Sequence, residues 1–248
     1  MTTPAPAVTD HIDFERQLLE LRKREKAHTR EGDAIAAARR RLPMTEVPPD
    51  ITVIGPNGPI PFGDVFEGRD ELVVYSHMFH DGEPWEKQCE GCTRISWPMQ
   101  NADAAAYLNA VGITFAILGD GPYDELAAFR DFMGYTTPWY SISHLDDDIV
   151  GEAGRISCYL RRDEKIYLTY WNTSRGDEIM SPSFALLDMT AFGRRESWED
   201  SPEGWPQLPT YSYWRTDEHG SPSGVGNLGR PVPQWTRPGV TRVGEKTE

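Results

Sequence analysis

The sequence predicts an α/β fold: a mixed β-sheet flanked by helices, with an N-terminal helical arm and an irregular C-terminal tail. Two apolar runs suited to buried strands, Glu71–Ser76 and Ile113–Leu118, alternate with stretches of helical character, and strand, helix, strand, helix implies parallel strands joined by right-handed crossovers. Further on, Ile156–Leu160 and Ile166–Tyr170 flank the charged stretch Arg161–Lys165, the pattern of an antiparallel hairpin. The chain has 248 residues, 38% of them hydrophobic, enough for one sizeable core and too few to demand two independent domains.

The arm comes first. Phe14, Leu18 and Leu21, then Ile35, Ala38 and Leu42, recur at helical spacing, and Pro43 stops the helix predicted over Phe14–Leu42. Between Phe14 and Arg41 nine Lys/Arg face five acids, so this segment carries about +4 against about −18 elsewhere. The charges predict a solvated face, with the apolar stripe packed on an acidic body; an arm that binds a partner is the alternative. Ile51–Ile54, the turn residues Gly55-Pro-Asn-Gly58 and Ile60-Pro-Phe62 read as a hairpin, and Phe62–Gly68 as a short helical turn. The small and apolar residues of Cys92–Ala110 favour a helix that ends near Gly112. Tyr123–Met133 forms the next helix, with Leu126 and Phe129 inward and Gly134 at its end, and Phe184–Phe192 a last short one. From Pro202 to Glu248 there are seven Pro and seven Gly in 47 residues, which predicts irregular structure. Trp205, Tyr211, Tyr213 and Trp214 are expected to pack that segment onto the body. The organisation is thus an arm (1–45), an α/β domain (46–200) and a Pro/Gly/aromatic-rich extension (201–248).

A net charge of −14 repels phosphate backbones and anionic lipid heads, so neither nucleic acid nor a membrane surface is an expected partner. No stretch is apolar enough to span a bilayer, and Met1–Asp10 lacks a basic start followed by an apolar run, so a cytoplasmic location is the expectation. Cys89, Cys92 and Cys158 are too few for a disulfide-stapled secreted scaffold.

Chemistry concentrates at Cys89-Glu-Gly-Cys92, two thiols one helical turn apart just after a buried strand. A cysteine at a helix N-terminus gains thiolate stability from unpaired N–H groups and the helix dipole, and a second one nearby resolves a mixed disulfide. Cys89 is the expected nucleophile and Cys92 the resolver. Metal binding and a structural pair are the competing readings.

The segments Leu72-Val-Val-Tyr-Ser-His-Met-Phe79, Trp85-Glu-Lys-Gln-Cys-Glu-Gly-Cys92, Met133-Gly-Tyr-Thr-Thr-Pro-Trp139, Leu187-Asp-Met-Thr-Ala-Phe-Gly-Arg194 and Glu203-Gly-Trp-Pro206 resemble the family called domain of unknown function 899, over roughly residues 12–219. The resemblance implies a thioredoxin-like or peroxiredoxin-like fold, the cysteine pair at the redox position, and Pro138 as a cis-proline facing it, with the backbone of Thr137 open to a substrate. Base rates for X-Pro bonds favour an ordinary trans-proline at a strand start. Two departures stand out. Pro84 lies five positions before Cys89 with no Thr or Ser between them, unlike the peroxiredoxin pattern, and Gln88 precedes Cys89 where thioredoxin has Trp.

His77 and His80 complete a His-x2-His-x8-Cys-x2-Cys pattern, a ligand set suited to zinc or copper, with His144 as a more distant copper ligand. Alternation along a strand points residues 77 and 78 to opposite faces, which argues against full convergence. Arg94, in the first helical turn, is a candidate for favouring the thiolates. Trp85, Trp97 and Trp139 serve either packing or a flat wall for an aromatic substrate. Cys158 reads as a buried strand residue, Asp146-Asp-Asp148 as a solvated loop, and His11, His28 and His219 as surface residues. The reading is a thiol–disulfide oxidoreductase that needs no cofactor and acts on a small thiol, disulfide or aromatic substrate, with a separate reducing partner; homo-oligomerisation is left open. Copper- or zinc-binding is the alternative function, and a partner-binding protein with an inactive body the third.

Overall fold

Eight strands form one mixed sheet in the computed structural model of the chain, which describes residues 4–100, 102–146, 149–196 and 199–206. In chain order they are β1 (Thr45–Glu46), β2 (Thr52–Gly55), β3 (Gly58–Pro61), β4 (Glu71–His77), β5 (Ile113–Gly119), β6 (Trp139–Ser141), β7 (Arg155–Arg162) and β8 (Lys165–Thr173), and their spatial order is β1-β8-β7-β4-β5-β6-β2-β3. The most apolar runs occupy the centre. β4 and β5 pair in parallel, Leu72 with Thr114 and Leu118 with Ser76, and β6 continues in parallel beyond β5. On its other side β4 pairs antiparallel with β7, Ser76 opposite Arg155, and β7 turns back as β8. This arrangement is thioredoxin-like, extended at both edges by β1 and by the β2–β3 hairpin.

Alternation along the central strands separates two cores. Leu72, Val74, Ala116 and Leu118 pack with Val53, Phe62, Val65 and Phe66 on one face. Tyr75, Phe115 and Ile117 pack with Cys92, Ile95, Phe129 and Trp139 on the other. The second face is covered by α2 (Glu90–Ser96), α3 (Ala102–Ala110) and α4 (Tyr123–Met133), the connections that return the chain between parallel strands. Gly134, at φ 69°, ends α4 where a left-handed residue is required.

Three expectations are corrected. The single helix over Cys92–Ala110 is divided: Pro98 has no N–H to continue the ladder, so the chain passes through a 3₁₀ turn, Trp97–Met99, between α2 and α3. The last helix, α5, spans Pro182–Asp188, because Pro182 suits a first turn and the Asp188 carboxylate is bound by Arg194 beyond the helix end. The arm helix, α1 (His11–Arg39), forms with Asp10 as its N-cap, yet buries no residue. Between Leu21 and Ile35 its only apolar side chains are Ala27 and Ala34, too little to hold a stripe against the body. Near its C-terminal end the guanidinium of Arg39 lies 4.9 Å from the ring centroid of Tyr170 on β8. In the extension, Trp205 packs edge-on against Phe192; Tyr211, Tyr213 and Trp214 lie outside the described residues, as do Asp147, Asp148 and His219.

Candidate functional site

The site begins where β4 ends. From His77 the chain leaves the sheet, runs through a loop and enters α2 at Cys89, so the cysteine pair sits beyond the C-terminal edge of the parallel strands. That edge is where open parallel sheets present their chemistry. The loop is pinned from both sides. Asp120, just past β5, accepts from Phe79 N at 2.5 Å, and Glu125 of α4 accepts from Gly82 N at 2.8 Å. Gln88 is fully buried; its Oε1 accepts from His80 N at 2.9 Å, and its Nε2 donates to the carbonyls of His80 and Glu83 at 2.9 and 3.0 Å. The loop's polar backbone is thereby satisfied internally, which makes the approach to Cys89 a built structure.

Cys89 is the N-cap of α2, and its Sγ accepts from Cys92 N at 3.4 Å. Thr93 secures the turn: its Oγ1 donates to the Cys89 carbonyl at 2.8 Å, while Ser96 Oγ donates to the Cys92 carbonyl at 2.8 Å. Cys89 is half-buried and Cys92 is 5% exposed, and the two are not joined in a disulfide. The Cys92 sulfur also accepts from Met78 N at 3.4 Å. Its pKa is raised well above the ordinary thiol value, first by its hydrogen bond to Cys89, then by burial and by negative charge on Cys89; the Tyr75 hydroxyl and the Met78 N–H act in the opposite direction. Of the two sulfurs, Cys92 is the one that keeps its proton when the other ionises.

His77 lies beneath this helix, 1% exposed, its ring 5.1 Å from that of Trp139 and 6.1 Å from that of Phe129. Its Nε2 is 3.5 Å from Thr93 Oγ1. Burial drives its pKa down to about 3, so the imidazole is neutral at physiological pH. His80 is exposed on the loop and His144 is exposed in the turn after β6. Among the described residues no three His, Cys, Asp or Glu side chains converge as a metal cluster. The expected His77–His80–Cys89–Cys92 set, with or without His144, is therefore not assembled, because one imidazole faces the aromatic core and the others face solvent.

The Thr137–Pro138 bond is trans, which corrects the expectation of a cis-proline; no cis peptide occurs among the described residues. Pro138 accepts from Ile117 N through its carbonyl at 2.9 Å and precedes β6, two strands from β4, while Thr137 is buried with its Oγ1 donating to the Met99 carbonyl at 3.0 Å. The segment paired beside the end of β4 is instead the start of β7, where Gly154 N donates to the Ser76 carbonyl at 2.7 Å. Trp139 is 1% exposed, with its Nε1 donating to Gln100 Oε1 at 3.1 Å. Trp85 is half-buried and stacks on Phe132 at 5.9 Å, and Trp97 is 45% exposed beyond the end of α2. The guanidinium carbons of Arg94 and Arg194 each lie 4.5 Å from the ring centroid of Phe184, and Arg194 also bonds Asp188 and Glu178, so Arg94 fastens α2 to α5. Cys158 is a half-buried β7 residue whose pKa burial raises to about 11. Sequence reasoning missed Tyr75 and Gln88. Period-two alternation puts Tyr75 on the same face as His77 and was a usable signal; nothing local marks Gln88.

Comparison with known proteins gives the following. No curated protein matches the chain. Among solved structures, a thiol:disulfide interchange protein DsbE from Chlorobium tepidum aligns at 14% identity over 58% of this chain and 97% of its own, TM-score 0.38. BsSco, a member of the Sco family of cytochrome c oxidase assembly proteins, aligns at 15% identity over 59% of this chain and 96% of its own, TM-score 0.30. A cysteine-to-serine mutant of the peroxiredoxin 6 of Arenicola marina aligns at 14% identity over 64% of this chain and 80% of its own, TM-score 0.32. The match that covers most of the chain is to a sequence family over residues 3–219, and the chain belongs to it: the family described as bacterial protein of unknown function, DUF899.

Proposed function

We propose that the chain is a cytosolic thiol–disulfide oxidoreductase in which Cys89 attacks and Cys92 resolves. The observation that carries this reading is the half-buried Cys89 sulfur capping α2, 3.4 Å from Cys92 N, with the proton-holding Cys92 thiol beside it. In the reductive direction the Cys89 thiolate attacks one sulfur of a substrate disulfide. A Cys89–substrate bond forms, the substrate's own S–S bond breaks, and the departing thiolate takes a proton from solvent. Cys92 then loses its proton and attacks Cys89 Sγ, forming the Cys89–Cys92 bond and expelling the second substrate thiolate. Two electrons pass to the substrate, and an external dithiol or monothiol reductant returns the pair to the thiol form. A one-turn C-x2-C spacing permits this closure.

Trp85 is the aromatic side chain best suited to meet a small aromatic disulfide, since it is half-buried and packs on the same core cluster as Cys89. Trp139 and Thr137, almost fully buried, support the site through packing.

The test is a thiol count and intact mass before and after one equivalent of a small disulfide. Loss of two thiols with a decrease of about 2 Da is expected, and a Cys92→Ser variant should hold the Cys89–substrate adduct. Elemental analysis of protein purified without added metal reads the competing outcome: stoichiometric zinc or copper released by blocking the two thiols would overturn the exchange reading.

A further inference from the structure

Gln88 is the residue before Cys89, and it is fully buried at the end of the loop that leads from β4 to α2. Its amide ties that loop to itself: Oε1 accepts from His80 N at 2.9 Å, and Nε2 donates to the carbonyls of His80 and Glu83 at 2.9 and 3.0 Å. The same loop reaches the second sulfur, because Met78 N, two residues before His80, donates to Cys92 Sγ at 3.4 Å. One side chain thereby links the strand exit that holds Cys92 to the backbone that carries Cys89. The fit is specific to this amide. One backbone donor and two backbone acceptors need a side chain that accepts once and donates twice; an ionised Glu has no donor, Met has neither function, and Asn is one methylene shorter. Burying an amide costs free energy, which these three bonds offset.

We propose that Gln88 is a positioning residue for closure of the Cys89–Cys92 bond, its amide holding the loop that sets Cys89 against the Met78-bound Cys92 sulfur. The inference rests on the exchange reading above and concerns its second step. Closure requires the Cys92 sulfur to meet the Cys89–substrate bond in line, and small displacements of reacting atoms cost large factors in rate. Asp120 and Glu125 pin the loop from outside, on Phe79 N and Gly82 N, whereas Gln88 is joined directly to the nucleophile's own residue. Gln88 gives and takes no proton. The Cys92 proton passes to solvent, the Cys92 thiolate forms the bond to Cys89 Sγ, and the substrate sulfur leaves with the electron pair of the bond that breaks.

The experiment uses the full chain carrying Cys158→Ala, and 4,4′-dithiodipyridine, an aromatic disulfide. The first equivalent of 4-thiopyridone reports attack by Cys89 and the second reports closure. Gln88→Met, close in volume but without the amide, is expected to slow the second phase about tenfold and to weaken closure at equilibrium by a similar factor, which raises the reduction potential of the pair by about 30 mV. Gln88→Glu separates hydrogen bonding from packing, since it keeps the shape. Its protonated carboxyl accepts from His80 N and donates to one carbonyl, whereas its carboxylate faces both carbonyls with no donor. The ratio of its closure rate to that of the parent should therefore fall as pH rises through the titration of the introduced carboxyl; taking the ratio at each pH removes the shared titrations of Cys92, His80, Asp120 and Glu125. Should Gln88→Met not fold, this ratio carries the test. An unchanged second phase in Gln88→Met, or a ratio that stays constant with pH, would overturn the proposal. A readout that needs no disulfide exchange separates it from the reading it rests on: dibromobimane bridges the two thiols by two alkylations, and the second reports how the sulfurs are set. Slower bridging in Gln88→Met, relative to its first alkylation, supports the positioning role even in a protein that exchanges no disulfide, and equal bridging refutes it.

Discussion

On one face of the central strands Leu72, Val74 and Leu118 interlock with Val53, Phe62, Val65 and Phe66, a layer of hydrocarbon and phenyl rings; on the other, Tyr75, His77, Cys92 and Trp139 sit among Phe79, Phe129 and Tyr135. The same strands build both, since β4 contributes Leu72 and Val74 to the first and Tyr75 and His77 to the second. The first face is organised chiefly by burial, which is non-directional, with the Tyr159 hydroxyl donating to the Val150 carbonyl at 2.7 Å as a directed contact within it. The second is organised by directed contacts. The Trp139 indole donates to Gln100, His77 faces Thr93, and the Cys92 sulfur accepts from Met78 N–H. One sheet can thus carry stability on one side and chemistry on the other, and substitutions on the two faces should separate accordingly.

The sharpest separation is Cys89→Ser, expected to bring disulfide exchange down to the uncatalysed background while leaving the urea midpoint almost unmoved, as measured by exchange kinetics and equilibrium unfolding on the same sample. Phe62→Ala on the hydrocarbon face is the converse. It should destabilise the fold by about 3–5 kcal/mol, with exchange by the remaining folded molecules unchanged.

The two faces should also differ in pH response. Because burial holds the folded His77 at about 3 while its unfolded counterpart titrates near 6.5, the unfolded chain binds the extra proton between these values. The stability associated with neutral His77 is complete above pH 6.5 and is lost as pH falls towards 3, amounting to about 2 kcal/mol between pH 6.5 and 5. His77→Phe should flatten that part of the stability-versus-pH curve; the same slope in the variant would assign it to other groups. A smaller effect is expected at Cys158, which pairs across the sheet with Val73 on the second face. Cys158→Ala should cost about 1 kcal/mol or less and leave exchange kinetics intact, showing that burial of a thiol on this face is not enough for reactivity.

Periodicity and turn residues made most of the frame readable. β4, β5, β7 and β8 fall on the predicted apolar runs, α4 spans Tyr123–Met133 as predicted, and the β2–β3 hairpin closes where the Gly and Pro residues required. The pair Cys89–Cys92 was legible because its chemistry lies within one helical turn of sequence. Less legible were features set by partners distant along the chain. The Pro138 expectation came from family resemblance, whereas β-sheet register puts Pro138 two strands from β4 and the start of β7 beside the end of β4. Arg94, read from the sequence as an electrostatic aid to the thiols, shares the Phe184 ring with Arg194, an association across about a hundred residues that no local pattern announces.

The amino-acid sequence by itself determined where the central strands, the β2–β3 hairpin and α4 lie, and that two thiols stand one helical turn apart, because these follow from near-neighbour spacing and backbone chemistry. Only the tertiary structure decided which thiol keeps its proton and that His77 is buried and neutral. Burial and hydrogen-bond partners are properties of the space around a group, and that space is made by segments far away in the chain.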